Sequence, residues 1–134
     1  MRILSEYYCK WGGIGSKNIL HTKEEFNNYL IKKIQNRKKN GDHYTEQYKY
    51  IDKNSKITII KLENLNEELV ELFHSYNIKI NVNNHKKQNT REQHKNDILF
   101  SIKDFSKELI SLINSVYDKD FEFFNYKKIE NIEN

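Results

Sequence analysis

The chain has 134 residues, a formal net charge of +4 and a single cysteine, Cys9. One cysteine excludes an intrachain disulfide, and no segment has the ~20 apolar residues of a membrane span or the pattern of a signal peptide. We therefore expect a soluble protein with one domain over residues 1–126 and a polar tail over residues 127–134, and its cellular location stays open.

The basic residues are concentrated in the first half of the chain. Residues 1–61 hold 13 Lys and Arg against 6 Asp and Glu, whereas residues 62–134 hold 10 against 13. This favours an anionic cofactor or a polyanionic substrate for the first half, although the lysines at 32, 33, 38 and 39 with Arg37 could equally solvate one helix and its exit loop. The absence of Pro and the many Asn, Lys and Ile residues are typical of an AT-rich genome, such as that of a giant virus.

Helical patterns precede the most apolar segment of the chain. A short helix is predicted from Ile3 to Trp11, ended by a glycine cluster. Thr22 and Glu25 form a capping box, which predicts a helix that runs to about Asn36.

Lys56–Leu62 is the best predicted strand, since it is β-branched and nearly continuous, as in a strand buried on both faces of a parallel sheet. Asn66 is expected to cap a helix that ends near Tyr76, and Asp104 or Ser106 to begin another that ends near Tyr117. Together these elements predict a helix-rich α/β fold with a small, parallel sheet.

Arg2 and Ser5 form the first candidate binding site. A serine in the first turn of a helix places a hydroxyl beside free backbone N–H groups at the positive end of the helix dipole, which favours an anion. Arg2, one turn away, adds charge-assisted hydrogen bonds to a phosphate. The alternative is an ordinary polar serine near a helix start, with a solvated arginine.

Four segments resemble, in order and spacing, the C-terminal half of the carbohydrate-type sulfotransferases. They are Arg2-x-x-Ser5-x-Tyr7, His43-x-x-Glu46-Gln47, Ile60-Lys61-Leu62-Glu63-Asn64-Leu65 and Tyr117-x-x-Asp120-Phe121-x-x-Phe124-x-Tyr126. The second segment departs from the usual His-x-x-Pro-Gln, and the fourth is the most specific. The resemblance implies a partial P-loop-type sulfotransferase fold that uses 3′-phosphoadenylyl sulfate to sulfate a carbohydrate hydroxyl.

The resemblance also implies roles for individual residues. Arg2 and Ser5 match the family's contacts to the 3′-phosphate of the cofactor. His43 and Gln47 lie one helical turn apart in the second segment and are candidate substrate contacts. A structural histidine is the alternative for His43. By position alone, a late basic loop supplies further cofactor contacts: Lys86, Lys87 and Arg91.

Parts of the family's chemistry are missing from the sequence. No Gly-x-x-Lys-Ser/Thr loop for the 5′-phosphosulfate occurs, and the family's leading Arg-x-Pro would precede Met1. His21 and His43 are the candidate bases, without a motif behind either, and the histidine spacing predicts no metal site. We therefore expect a truncated member that is inactive alone.

Two other functions stay open at this stage. One is a non-catalytic module that binds a nucleotide or a polyanion, and the other is a small basic nucleic-acid-binding protein. The expected partners are an anionic nucleotide or an acidic glycan. A half-fold would also leave a sheet edge exposed, so a homodimer or a missing N-terminal half is expected to cover it. Family members are often lumenal Golgi proteins.

Overall fold

The computed structural model describes residues 2–9, 21–39, 42–52, 54–82 and 100–130. The chain divides into two compact units, one made of Met1–Ile51 with Arg91–Asn134 and the other of Asp52–Thr90. The single domain expected over residues 1–126 stays a prediction.

Five α-helices form within the described residues. They are α1 (Arg2–Tyr7), α2 (Lys23–Gln35), α3 (Leu65–Ser75), α4 (Lys107–Val116) and α5 (Asp118–Phe123). Short 3₁₀ turns lie at Asp42–Tyr44, Gln47–Tyr50, Leu62–Asn64 and Ile102–Asp104. The helix-rich character predicted from the sequence is confirmed.

The start of α2 is the capping box predicted from the sequence. The N–H of Glu25 donates to the Thr22 hydroxyl at 3.2 Å, and the N–H of Thr22 donates to the Glu25 carboxylate at 2.7 Å. These two bonds satisfy backbone donors that a helix start leaves without partners, and they lower the pKa of Glu25. The predicted end is also confirmed, since Asn36 is the C-cap.

The core of the first unit lies where α2 packs against α4. Phe26, Leu30 and Leu109 are fully buried, because α2 and α4 each present one apolar face at helical spacing. The ring of Phe26 stacks on Phe100 with centroids 4.4 Å apart, and the Tyr7 ring meets Phe26 edge-on at 4.8 Å. Aromatic residues thus fasten α1 to α2 and to the segment that leads into α4.

One buried polar side chain links α2 to the start of α4. Asn27 donates to the carbonyls of Lys23 at 2.7 Å and Asp104 at 2.9 Å, and its amide oxygen accepts from the Ser106 N–H at 2.7 Å. Ser106 is the N-cap of α4, which confirms one of the two starts predicted for this helix. Asn27 therefore fixes the register between the two helices that make the core.

Two helices are followed by an asparagine whose backbone is in the left-handed conformation, a position where glycine is the usual residue. Asn77 follows α3 with φ 58°, and Asn125 follows α5 with φ 53°. After α5, the N–H of Tyr126 donates to the carbonyl of Phe121 at 2.9 Å, which closes the last turn in a Schellman motif. After this turn the chain returns to α4. There the Asn114 amide donates to the carbonyl of Ile129, and the N–H of Ile129 donates to the amide oxygen of Asn114.

The second unit differs from the sequence prediction. Residues 56–61 carry no regular secondary structure, Leu62 opens a 3₁₀ turn, and Ile57, Ile59 and Leu62 are exposed. A strand forms only when a neighbour pairs its backbone, and no other described segment is a strand. The predicted strand at Lys56–Leu62, and with it the small parallel sheet, is therefore not seen here.

Helix α3 begins earlier than expected and buries little. Its N-cap is Asn64 rather than Asn66, and Glu68 accepts hydrogen bonds from the Lys61 N–H at 3.2 Å and from the Asn64 amide at 3.0 Å. None of its residues is fully buried, although its apolar stripe is well formed. At the other end of the chain, α1 ends at Tyr7, and the glycine cluster predicted to stop it lies outside the described residues.

We expect Asn27→Ala to reduce the free energy of unfolding by about 1–3 kcal/mol, because it leaves two carbonyls and one N–H without their buried partner. Chemical denaturation checks this. Asn28→Ala is the matched control, since Asn28 is an exposed neighbour on α2, and it should change stability by less than about 0.5 kcal/mol. Equal effects of the two substitutions would contradict the role given to Asn27.

Candidate functional site

Helix α1 carries the residues expected to hold the cofactor phosphate. Its core-facing side chains, Ile3, Leu4 and Tyr7, are buried, which fixes the helix on the protein. Ser5 points outward and is exposed, and Arg2, three residues earlier and thus its neighbour on the helix surface, is half-buried. A hydroxyl and a guanidinium are donor types that suit a phosphate, but their binding role stays a prediction.

The segment predicted to contact the substrate, named the substrate segment after that prediction, consists of two 3₁₀ turns, Asp42–Tyr44 and Gln47–Tyr50. His43 and Gln47 are both exposed on it, as a substrate contact requires. Between them, Tyr44 and Glu46 are buried and hold the segment against the rest of the first unit.

Asp120 fastens this segment from the opposite end of the sequence. Its two carboxylate oxygens accept from the N–H groups of Gln47 and Tyr48, both at 2.9 Å. The Tyr117 hydroxyl adds a third bond, since it donates to the carbonyl of Tyr44 at 2.8 Å. Asp120 of the closing motif therefore caps the start of a 3₁₀ turn that lies 72 and 73 residues away in sequence.

Glu46 is a buried carboxylate with two cationic partners. Its Oε1 lies 2.9 Å from Nζ of Lys49 and 3.4 Å from Nη2 of Arg37. Burial by itself raises the pKa of Glu46, but hydrogen bonds from Lys49, from its own N–H and from Arg37 outweigh it and lower the pKa below the ordinary value of 4.5. Glu46 is therefore ionised at neutral pH and ties the exit of α2 to the substrate segment.

Buried tyrosines lie beneath the site. Burial raises the pKa of Tyr117 to about 12, although the positive charges of Arg37 and Arg2 oppose the rise. Burial, reinforced by neighbouring Tyr29 and Glu6, also raises the pKa of Tyr44. These hydroxyls thus stay protonated at neutral pH and act as hydrogen-bond donors rather than as bases.

Two contacts bring the first, second and fourth sequence segments together. Glu6 of α1 pairs with His43, and Tyr117, the first residue of the closing motif, holds the carbonyl of Tyr44. The three segments that contain Arg2, His43 and Asp120 therefore meet in one region.

His43 and Glu6 form a pair that joins the substrate segment to α1. Nδ1 of His43 lies 3.2 Å from Oε2 of Glu6. The Glu6 side chain is only 16% exposed and that of His43 is 67% exposed. The pair therefore consists of a largely covered carboxylate beside a largely open imidazole.

His21, the other candidate base, has a different environment. Its Nδ1 lies 3.1 Å from the hydroxyl of Tyr7, and its ring packs near Tyr29. Burial raises the pKa of Tyr7, so that its hydroxyl stays neutral. The structure brings His21 to the aromatic core rather than to the exposed surface around Gln47.

The predicted site is described only in part. Lys86, Lys87 and Arg91 lie outside the described residues. Among the residues that the structure describes, no group of three or more His, Cys, Asp or Glu side chains could hold a metal ion. Nor does any described helix have the length and apolar character needed to cross a membrane.

Sequence reasoning missed Glu6, and it did not foresee the partner of Asp120. A carboxylate next to Ser5 carries no signal of its own, since its partner is 37 residues further along the chain. The sequence did mark Asp120, through the closing motif, but only the folded chain shows that it holds Gln47 and Tyr48.

Comparison with known proteins places the chain in a family. A model of the sulfotransferase family matches residues 1–127. The chain belongs to the sulfotransferase family. The match covers every segment that carried the resemblance, from Arg2 to Tyr126. No curated protein and no solved structure gives a significant match.

Asp120→Asn tests how the sulfotransferase chain holds its substrate segment. An amide nitrogen cannot accept the second N–H, so we expect a loss of about 1–2 kcal/mol in the free energy of unfolding and faster hydrogen exchange at Gln47 or Tyr48. Asp118→Asn is the control, because Asp118 makes an exposed pair with Lys128 at 2.5 Å. It should cost less than about 1 kcal/mol. Unchanged exchange in Asp120→Asn would contradict the contact.

Glu46→Gln tests the buried ion pair through pH. A folded-state pKa below 4.5 means that the ionised carboxylate stabilises the fold at neutral pH, and that this stabilisation is lost as the pH falls below about 4.5. We expect the substitution to cost about 1–3 kcal/mol at neutral pH, and the difference from the wild type to shrink in acid.

The control for this experiment is Glu122→Gln, at an exposed position of α5. It should change the free energy of unfolding by less than about 0.5 kcal/mol at any pH. Denaturant unfolding between pH 7 and acid provides the measurement. A Glu46→Gln effect that stays constant over that range would show that the charge of Glu46 is not what stabilises the segment.

Proposed function

We propose that this chain serves the transfer of a sulfuryl group from 3′-phosphoadenylyl sulfate to a carbohydrate hydroxyl. In this proposal Arg2 and Ser5 contact the 3′-phosphate of the donor, and His43 and Gln47 contact the acceptor. The observation that carries the proposal is the meeting of the segments that hold Arg2, His43 and Asp120 in one region of a sulfotransferase-family chain.

The donor follows from the family and from the donor groups on α1. Sulfotransferases generally use 3′-phosphoadenylyl sulfate. Ser5 is exposed and Arg2 stands one turn before it, so a phosphate placed beside α1 receives a hydroxyl and a guanidinium from the same helix face. The excess of 13 basic over 6 acidic residues in residues 1–61 favours an anion there.

The acceptor is assigned to the exposed surface around His43 and Gln47. An imidazole and a carboxamide both offer donors and acceptors of hydrogen bonds, which is what sugar hydroxyls require. The backbone beneath these side chains is fixed by Asp120 and Tyr117, so that the ordering cost is met before an acceptor binds.

Binding of the nucleotide and transfer of its sulfuryl group are expected to differ in this chain. The sequence holds no Gly-x-x-Lys-Ser/Thr loop to bind the 5′-phosphosulfate. We therefore expect the chain alone to bind the nucleotide without transferring its sulfuryl group. The exposed, β-branched Ile57 and Ile59 are suited to pairing with a strand from a complementary segment or a second copy, which would complete a small parallel sheet.

The alternative is a module that binds the nucleotide or a polyanion and takes no part in transfer. The absence of the loop from the sequence favours it, and it predicts the same nucleotide binding. The two are separated by adding a polypeptide that carries the loop. Sulfation of a carbohydrate then supports the transfer function, and binding without sulfation supports the module.

The test of nucleotide binding is a titration with adenosine 3′,5′-bisphosphate, followed by calorimetry and by the melting temperature. We expect saturable binding that raises Tm, since a ligand at 100 times its Kd stabilises the folded state by about 2.7 kcal/mol. Ser5→Ala should weaken the affinity about tenfold, because it removes one hydrogen bond to a charged phosphate.

Ser111→Ala is the matched control for this titration. Ser111 is likewise an exposed serine on a helix, α4. It should leave the affinity for the nucleotide unchanged. The absence of a Tm shift at millimolar nucleotide would contradict the proposed site, as would an equal effect of the two serine substitutions.

A further inference from the structure

The contact between Glu6 and His43 has a consequence for proton transfer. Nδ1 of the imidazole lies 3.2 Å from the Glu6 carboxylate. An ionised carboxylate only accepts hydrogen bonds, so Nδ1 must carry the hydrogen in this contact. The second nitrogen, Nε2, is then the unprotonated acceptor of the neutral ring.

Both members of the pair are held by rigid backbone. Glu6 lies on α1 between Leu4 and Tyr7, which are 1% and 2% exposed. His43 precedes the buried Tyr44, whose carbonyl accepts the hydrogen bond from Tyr117 at 2.8 Å. The imidazole is therefore positioned both by its own backbone and by a carboxylate from another element.

The exposure of the two side chains suits a proton acceptor. Glu6 is largely covered, which strengthens its interaction with the ring relative to one in water. The His43 side chain is 67% exposed, so Nε2 is open to a hydroxyl in the surface that the proposed acceptor would occupy.

His21 does not offer the same arrangement. The neutral hydroxyl of Tyr7 is the group beside its Nδ1, at 3.1 Å, and a hydroxyl can donate as well as accept. The Tyr7 contact therefore does not fix which nitrogen of His21 carries the hydrogen. Among the described contacts of the two candidate bases, a carboxylate lies beside Nδ1 of His43, whereas a hydroxyl lies beside Nδ1 of His21.

We infer that Glu6 and His43 form a proton-accepting dyad, in which Nε2 of His43 is the base for the acceptor hydroxyl and Glu6 is its positioning residue. This rests on the proposed sulfuryl transfer. The hydroxyl proton passes to Nε2 while the hydroxyl oxygen forms a new bond to sulfur. The bond between sulfur and the oxygen of the nucleotide's 5′-phosphate breaks, and its electron pair remains on that phosphate oxygen.

The dyad also accounts for the charge that the step creates. When Nε2 takes the proton, the ring becomes an imidazolium, and the adjacent Glu6 carboxylate balances its positive charge. Glu6 thus serves before the step, by fixing the tautomer, and during it, by stabilising the charged ring.

The first test is ¹⁵N NMR of the full chain above the titration range of histidine, without nucleotide. Long-range ¹H–¹⁵N correlations identify which ring nitrogen carries the hydrogen. We expect His43 in the Nδ1–H form in the wild type and a mixture of tautomers in Glu6→Gln. The control Glu71→Gln, at an exposed position of α3, should leave His43 unchanged.

The second test measures the reactivity of Nε2 with diethyl pyrocarbonate at pH 8, by mass spectrometry of the modified peptides. His74, an exposed histidine on α3, is the internal reference. His43 should react at least threefold faster than His74, and Glu6→Gln should remove that difference. A His43 ring whose Nδ1 is not held by Glu6 would show no such enhancement at Nε2.

The outcomes separate this inference from the proposed function. An Nε2–H tautomer in the wild type, or reactivity of His43 no greater than that of His74, overturns the dyad even if the nucleotide binds. The expected tautomer and reactivity, in a chain that binds no adenosine 3′,5′-bisphosphate, would keep the dyad and refute the proposed donor site.

Discussion

The arrangement of the site depends on one carboxylate, that of Asp120. Its two oxygens accept from the N–H groups of Gln47 and Tyr48, so the fourth sequence segment caps a turn of the second. Charge-assisted bonds to two backbone donors are directional, and they fix the path of a segment whose outward side chains, His43 and Gln47, are exposed. Without this contact a pair of short 3₁₀ turns would have little internal structure to hold it.

The rest of the first unit gives that contact a rigid support. Asp120 lies on α5, which follows directly on α4, and α4 packs on α2 through an apolar face and through the hydrogen bonds of Asn27. Tyr117 and Glu46 add bonds at the edges of the substrate segment. Buried polar groups that are paired in this way favour one arrangement, because a shift would cost them their partners.

The sequence predicted the local features of this fold better than its long-range ones. The capping box at Thr22, the end of α2 near Asn36 and the start of α4 at Ser106 are short-range patterns, and all three are confirmed. The strand predicted at Lys56–Leu62 is not formed in this structure, since β-branched composition describes a tendency that only a pairing partner realises. In the site, Asp120 was marked by its motif. The contact of Glu6 depends on how α1 meets His43 in the folded chain, and no periodic pattern in the sequence indicates it.

Whether α1 and the substrate segment form one site can be measured by NMR, from the amide chemical shifts during a titration with adenosine 3′,5′-bisphosphate. We expect Ser5 and Glu6 to shift together with His43 and with the amides of Gln47 and Tyr48, because Glu6 and Asp120 couple these elements. Shifts confined to α3, or an α1 response without any response at His43, would contradict it.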